Sequence, residues 1–562
     1  MRISVAVVVA TSVLVAILGC TRDTARRPAP STEHAPVGAP HATRTTLLGA
    51  LGPYHREILT TSREAQQFFD EGLTLLYGFN HAEAFSSFAH AATLDPKSPM
   101  PHWGMALSLG TNINDPAPTE RLMTAYRHLA EAVRRSANGT AVEQGLVAAL
   151  TKRYVAAPTR EQAVREQAYA DAMGALSEQF PNDPDVATLY AESMMNLHPW
   201  QLYRADGTPE SWTPAIVATL ERVLKVRERH PGANHYYVHA VEASRTPARA
   251  TAAAVRLETL VPGAGHLVHM PAHIYIRTGQ YARAAKSNAA AAAVDETYFR
   301  QAGQPSLYTM AYYAHNLQFE SSAAMYGGNF AEARRAAQRT VSLTDSMADQ
   351  MAMLELFASQ ELVVLVRFGE WAAILASKAP VGTRTVQSGF HQWARGVALA
   401  HTGKVDDAQV ALDSLRSVLT RVPKAAMVGP INWGGTVLAV AEADLRGHLR
   451  QAQGDATGAI AAFRDAVAAE DRLGYNEPPD WLLPERERLG VALLSIGNAV
   501  EAEAVFRTDL TKNIANPRSL YGLWQSLARR GNTAAAAAAK QNFDDAWRSA
   551  DIVLGDDLYP KR

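Results

Sequence analysis

The stretch that decides the fold runs from Ala65 to Pro96, "AQQFFDEGLTLLYGFNHAEAFSSFAHAATLDP". Its apolar residues recur at helical spacing on either side of the central "YGFN", which predicts two antiparallel helices joined by a tight turn. Gly72 stands where the two helices touch, Ala84 marks the second contact, and Asp95-Pro96 stops the pair. Small residues at these positions let the helices approach closely, and the apolar stripe left over is buried only by the next pair.

Shorter echoes follow at Gly279/Tyr281/Ala284, Gly328/Phe330/Ala333, Gly403/Val405/Ala408, Gly454/Ala456/Ala459 and Gly497/Val500/Ala502, and "RRGNTAAAAAA" around Gly531 closes the set. Strand signals are nearly absent. The pattern resembles the tetratricopeptide repeat, and the resemblance implies an all-α helical-repeat superhelix, an α-solenoid. The phrases "YGFNHAEA", "HWGMALSLG", "PGAGHLVHMPAHIYIR" and "YAHNLQF" are similar to those of exported bacterial tetratricopeptide-repeat lipoproteins, over nearly the whole mature chain. That group has no established activity, so the resemblance implies a fold and transfers no catalytic residue.

The chain opens "MRISVAVVVATSVLVAILGC", an arginine and an apolar run that read as an export signal over residues 1–20. "ILGC" resembles the bacterial lipobox, which implies a lipidated Cys20 as the first mature residue; an uncleaved membrane anchor is the alternative. Residues 21–46, rich in Pro, Ala, Ser and Thr, read as a flexible tether. The helical repeats then divide into an N-terminal segment, 47–340, and a C-terminal segment, 341–562, with connecting loops at Pro380–Thr385 and Tyr475–Trp481. The expected location is the bacterial cell envelope, lipid-anchored on the periplasmic or extracellular side. Cys20 is the only cysteine, so the folded body has no thiolate to offer a metal and must use His, Asp, Glu or Tyr. A formal net charge of -1 lacks the basic footprint of nucleic-acid binding, and that class of partner is set aside.

Of 18 histidines, five lie between His235 and His273, where an even spread puts about one. "HPGANHYYVHAVEA" (230–243) and "GHLVHMPAHIYIR" (265–277) are near copies, which match His235 to His266 and Glu242 to His273. At about 100° per residue, His235, His239 and Glu242 share an arc of roughly 60°, and His266, His269 and His273 share a similar one. In the tetratricopeptide register these positions line the concave groove. Neighbouring helices pack about 8–10 Å apart, close enough for imidazoles from two of them to converge on one ion. The i to i+7 span is about 10 Å, so two ions, or one ion held from several helices, fit better than one ion spanning a stripe.

The expected ligands are therefore His235, His239, Glu242, His266, His269 and His273, with His315, Gln318 and His102 as further groove residues, and the set suits Zn, Cu, Fe or Mn. Against this, Tyr236 follows His235 where a zinc peptidase needs its glutamate base, and Pro271 interrupts the second stripe. Two other readings stay open: a metal-free scaffold whose groove docks a protein or peptide partner, and a metal-dependent hydrolase or oxygenase built on the same residues. Tyrosines surround the cluster, and no G-x-S-x-G, free thiol or phosphate-cradling glycine loop competes with it. Three imidazole nitrogens within about 5 Å of a common point is the geometry a metal requires.

Overall fold

Helix follows helix in antiparallel pairs throughout the computed structural model, which describes residues 44–158, 161–302, 309–349 and 352–561. The export segment, Cys20 and most of the tether lie outside the described residues. Among the described residues there is no strand, and no helix is long and apolar enough to cross a membrane. The fold is an all-α helical-repeat array.

The first pair explains the rest. Helix α1 (Arg63–Tyr77) and helix α2 (His81–Leu94) are followed by α3 (Met100–Ser108), and the Phe88 ring of α2 lies between the glycines of its neighbours. A Cβ on Gly72 of α1 would sit 2.7 Å from that ring, and one on Gly104 of α3 2.6 Å. The same device recurs near the C-terminus, where the Phe506 ring fills the space beside Gly490 and Gly522. A large ring on one helix thus dictates the small residues on its two neighbours, since close-packed interiors leave no room for even one added carbon.

The turn inside several pairs also follows a recipe. Gly328, Gly454, Gly497 and Gly531 all adopt positive φ between 73° and 80°. The Asn or Asp that comes next caps the second helix by accepting from the N–H three residues on. In the first pair Asn80 is the cap, but the left-handed position is held by Phe79, at φ 58°. A bulky residue there costs about 1–2 kcal/mol.

One apolar core gathers residues from Leu51 to Leu483, a second gathers residues from Ala459 to Leu558, and a small third one joins Ala314, Ala348, Leu354, Phe357 and Ala358. The C-terminal half curls back on the N-terminal half. Arg277 donates to the Lys512 carbonyl, the Tyr281 hydroxyl donates to the Ile514 carbonyl, and the Asp551 carboxylate accepts from the Phe330 and Ala331 N–H groups.

Replacing Phe506 by Ala empties the space between two helix pairs and is expected to cost about 3–5 kcal/mol. Urea unfolding followed by circular dichroism checks this; a midpoint equal to the wild type's would mean the ring does not key the pairs together.

Candidate metal centre

Four helices carry the histidines. Helix α4 (Pro231–Val241) holds His235 and His239 and ends on Glu242. Helix α5 (Gly265–His269) holds His266 and His269, and α6 (Pro271–Arg277) holds His273. Pro271 does break the second stripe, at Met270, and two short helices replace one long one. Beyond α7 (Tyr281–Ala302) comes α8 (Ala314–Tyr326), which contributes His315.

These side chains form two sets of three. His235, His239 and His266 each offer a nitrogen within 4.8 Å of the others, and His269, His273 and His315 do the same. Glu242 joins neither set. Its Oε1 accepts from His239 Nδ1 at 2.9 Å, and its Oε2 pairs with His273 Nδ1. It therefore orients one imidazole of each triad from behind, where the sequence pattern places it among the ligands. Gln318 is buried one turn beyond His315. His102 belongs to neither triad; its charged neighbours are Arg134, Arg135 and His128.

Hydrogen bonds decide which nitrogen of each ring faces inward. A backbone carbonyl only accepts, so the 2.5 Å contact of His235 Nδ1 with the Tyr77 carbonyl puts the proton on Nδ1. The Asn288 amide nitrogen donates to the Ala284 carbonyl, which turns its oxygen toward His269 Nδ1 at 2.6 Å. With Glu242 behind His239, three rings have their Nδ1 protons committed outward and present Nε2 lone pairs, while His273 Nδ1 is held to the Glu242 carboxylate as an ion pair. His235 Nε2 lies 3.1 Å from His266 Nε2, and His269 Nε2 lies 2.7 Å from His273 Nε2. Among the described residues His239 Nε2 has no hydrogen-bond partner. At these distances each pair of nitrogens is bridged either by one proton, as an N–H···N hydrogen bond, or by a shared cation.

The electrostatics keep the ligands ready. Burial, reinforced by neighbouring histidines, pushes His235, His266 and His269 well below the ordinary imidazole range, and burial brings His315 down to about 3. These four are neutral at pH 7, the form that binds metal. Burial works against the charge of Glu242, yet His273 and His239 beside it hold the carboxyl down at about 2. His273 is the exception: burial opposes its charge, and the Glu242 carboxylate overrides that and raises it.

An apolar shell encloses both triads. Phe79 packs on His235 and His266, with ring centres 4.6 and 5.5 Å apart, so the strained turn residue is also a wall of the site. Tyr312 covers His266, Phe319 covers His269, His273 and His315, and Trp200 meets His239 edge-on. The sequence reading expects an open groove, but the six residues of the two stripes are no more than 5% exposed. The end of α1 and the loop around Tyr475 close over them. A cavity of about 20 Å³ remains beside His239 and Glu242, lined also by Trp200 and Tyr475, and is large enough for one water. Tyr77, Asn288 and Phe79 are the contributors that sequence spacing misses; only Phe79 carries a signal of its own, a phenylalanine in the usual glycine slot of the turn.

No protein-family model matches the chain, and no curated protein matches it. Among solved structures it is similar to the P58(IPK) TPR domain, at 12% identity over 84% of this chain and 99% of that one, with a TM-score of 0.22. It is also similar to the human IFIT1 dimer with m7Gppp-AAAA, at 12% identity over 87% and 90% with a TM-score of 0.30. Yeast Tom70 matches at 9% identity over 86% and 93%, with a TM-score of 0.29. Likeness at these scores carries no argument about what the chain binds or does.

Asn288→Leu removes the acceptor behind His269, and zinc affinity of the His269/His273/His315 set is expected to fall about 10–100-fold while the other set is unchanged. Phe79→Gly keeps the left-handed turn without strain but removes a wall of the first triad. Its expected signature is weaker metal binding at His235/His239/His266 with a lowered melting temperature, because about 1–2 kcal/mol of relieved strain offsets only part of the roughly 3–5 kcal/mol lost with the buried ring. A chelator-competition titration beside a thermal melt reads both.

Proposed function

We propose that the chain is a metal-binding protein whose interior holds two three-histidine sites, each for one divalent transition-metal ion. The observation that carries this reading is the convergence of Nε2 atoms whose Nδ1 protons are already spent on Tyr77, Asn288 and Glu242. Imidazole nitrogens gathered in threes at this distance suit a divalent transition-metal ion. All six donors are nitrogens, so the ions favoured are Cu and Zn, ahead of Fe and Mn, by ligand type and by the Irving–Williams order.

Three protein ligands leave a coordination position open, as in catalytic rather than structural zinc sites, and the water-sized cavity beside His239 supports such a position. A metal-dependent reaction on a small substrate is consistent with this arrangement, and so is storage or delivery of the ion. The export reading completes the proposal. A lipid on Cys20 and the tether of residues 21–46 would hold the body at the outer side of a bacterial membrane, where it meets envelope metal.

The test is metal content of the untagged protein after loading with Zn, Cu, Fe or Mn in turn. Two equivalents are expected. His235→Ala/His239→Ala is expected to lose one of them, and His269→Ala/His315→Ala the other. Background metal in all three proteins would overturn the reading and leave a metal-free array that meets a protein or peptide partner.

A further inference from the structure

Glu242 touches a ligand of each triad. Its Oε1 holds His239 of the first and its Oε2 holds His273 of the second. The triads also abut directly: the His239 and His273 ring centres are 5.4 Å apart, and those of His266 and His269 are 5.6 Å apart. We infer that the two sites form one dinuclear centre, filled stepwise, in which Glu242 is a positioning residue shared by both ions. This inference rests on the metal reading above.

Two effects compete when the first ion binds. It fixes Glu242 and so helps to orient the imidazole of the other triad, which favours the second ion. It also places two positive charges within a few ångströms of where the second ion must go. At a separation comparable to these ring distances, repulsion between two dications weakens the second step about 100-fold even at the dielectric of water, and more in a buried site. Orientation of a single ring contributes far less, so repulsion sets the sign. Glu242 carries one negative charge equidistant in function from both sites. Its loss therefore weakens both steps, where loss of an orienting group such as Asn288 weakens one.

The experiment titrates the full chain with Zn²⁺ alone against a chromophoric chelator, for the wild type and for His266→Gln, His315→Gln and Glu242→Gln. Circular dichroism confirms that each variant is folded; His269→Gln disables the second triad should His315→Gln not fold. The wild type is expected to take two ions with dissociation constants at least about 100-fold apart. Each His→Gln variant takes one ion. Whichever site fills second in the wild type binds at least about 100-fold more tightly once the other is disabled. Glu242→Gln weakens both steps by about 10-fold or more. Two ions whose affinities equal those in the single-site variants, or a Glu242→Gln effect on one step only, would overturn the shared centre and leave the metal reading standing. A wild type that binds no ion removes both.

Discussion

A buried carboxylate between two imidazole N–H groups is the constraint around which the interior is arranged. Glu242 is 2% exposed, and a lone ionised carboxylate at such depth would cost several kcal/mol. It is tolerated because His239 Nδ1 donates to it and His273 pairs with it across a buried contact. These contacts turn their Nε2 atoms away from Glu242 and toward the remaining histidines. The Tyr77 carbonyl performs the same service for His235, and the reason lies in helix geometry. Tyr77 is the last residue of α1, and the last carbonyls of a helix have no partner within it. The end of one repeat thus supplies the acceptor that fixes the ligand of another.

The repeat, its turns and the histidine stripes are legible in the sequence because each rests on local spacing. Gly72 and Ala84 mark helix contacts that a close-packed pair requires, and the His235/His239 and His269/His273 spacings are single turns of one face. The axial span of each stripe already argues against one ion spanning it, and for two ions or one ion held from several helices. The partition of the six residues is not legible, because it depends on how separate helices meet. His266 leaves its own stripe to complete the triad of α4, while His269 and His273 take their third member from His315, more than forty residues on. Asn288 and the Tyr77 carbonyl are hidden for the same reason: an acceptor placed by tertiary packing has no signature of its own.

Phe79 shows how much local preference this region gives up. Seven later turns, at Gly279, Gly328, Gly369, Gly403, Gly454, Gly497 and Gly531, put glycine at the left-handed position, while this one carries a phenylalanine at φ 58°. Its ring packs against three histidines of the first triad and its neighbours. Departures from a repeat's own rule cluster where function competes with stability, and the strained residue faces the imidazoles rather than the ordinary core.

The C-terminal half does more than extend the array. Arg277, at the end of α6, donates to the carbonyls of Glu242 and Ser244 on its own side and of Lys512 on the other. The backbone of the carboxylate that orients both triads is thereby tied to the segment that curls over it. Tyr475 stands in the same closure, lining the small cavity beside His239 and Glu242 as well as a cleft of about 570 Å³ that opens between the two halves. A histidine facing solvent could trade its partner for water at little cost, and Phe79, Trp200, Tyr312 and Phe319, with Tyr475 from the second half, close that route. Where a proton has a fixed address, as on His235, His239 and His269, the opposite nitrogen becomes a defined donor instead of part of a polar stripe.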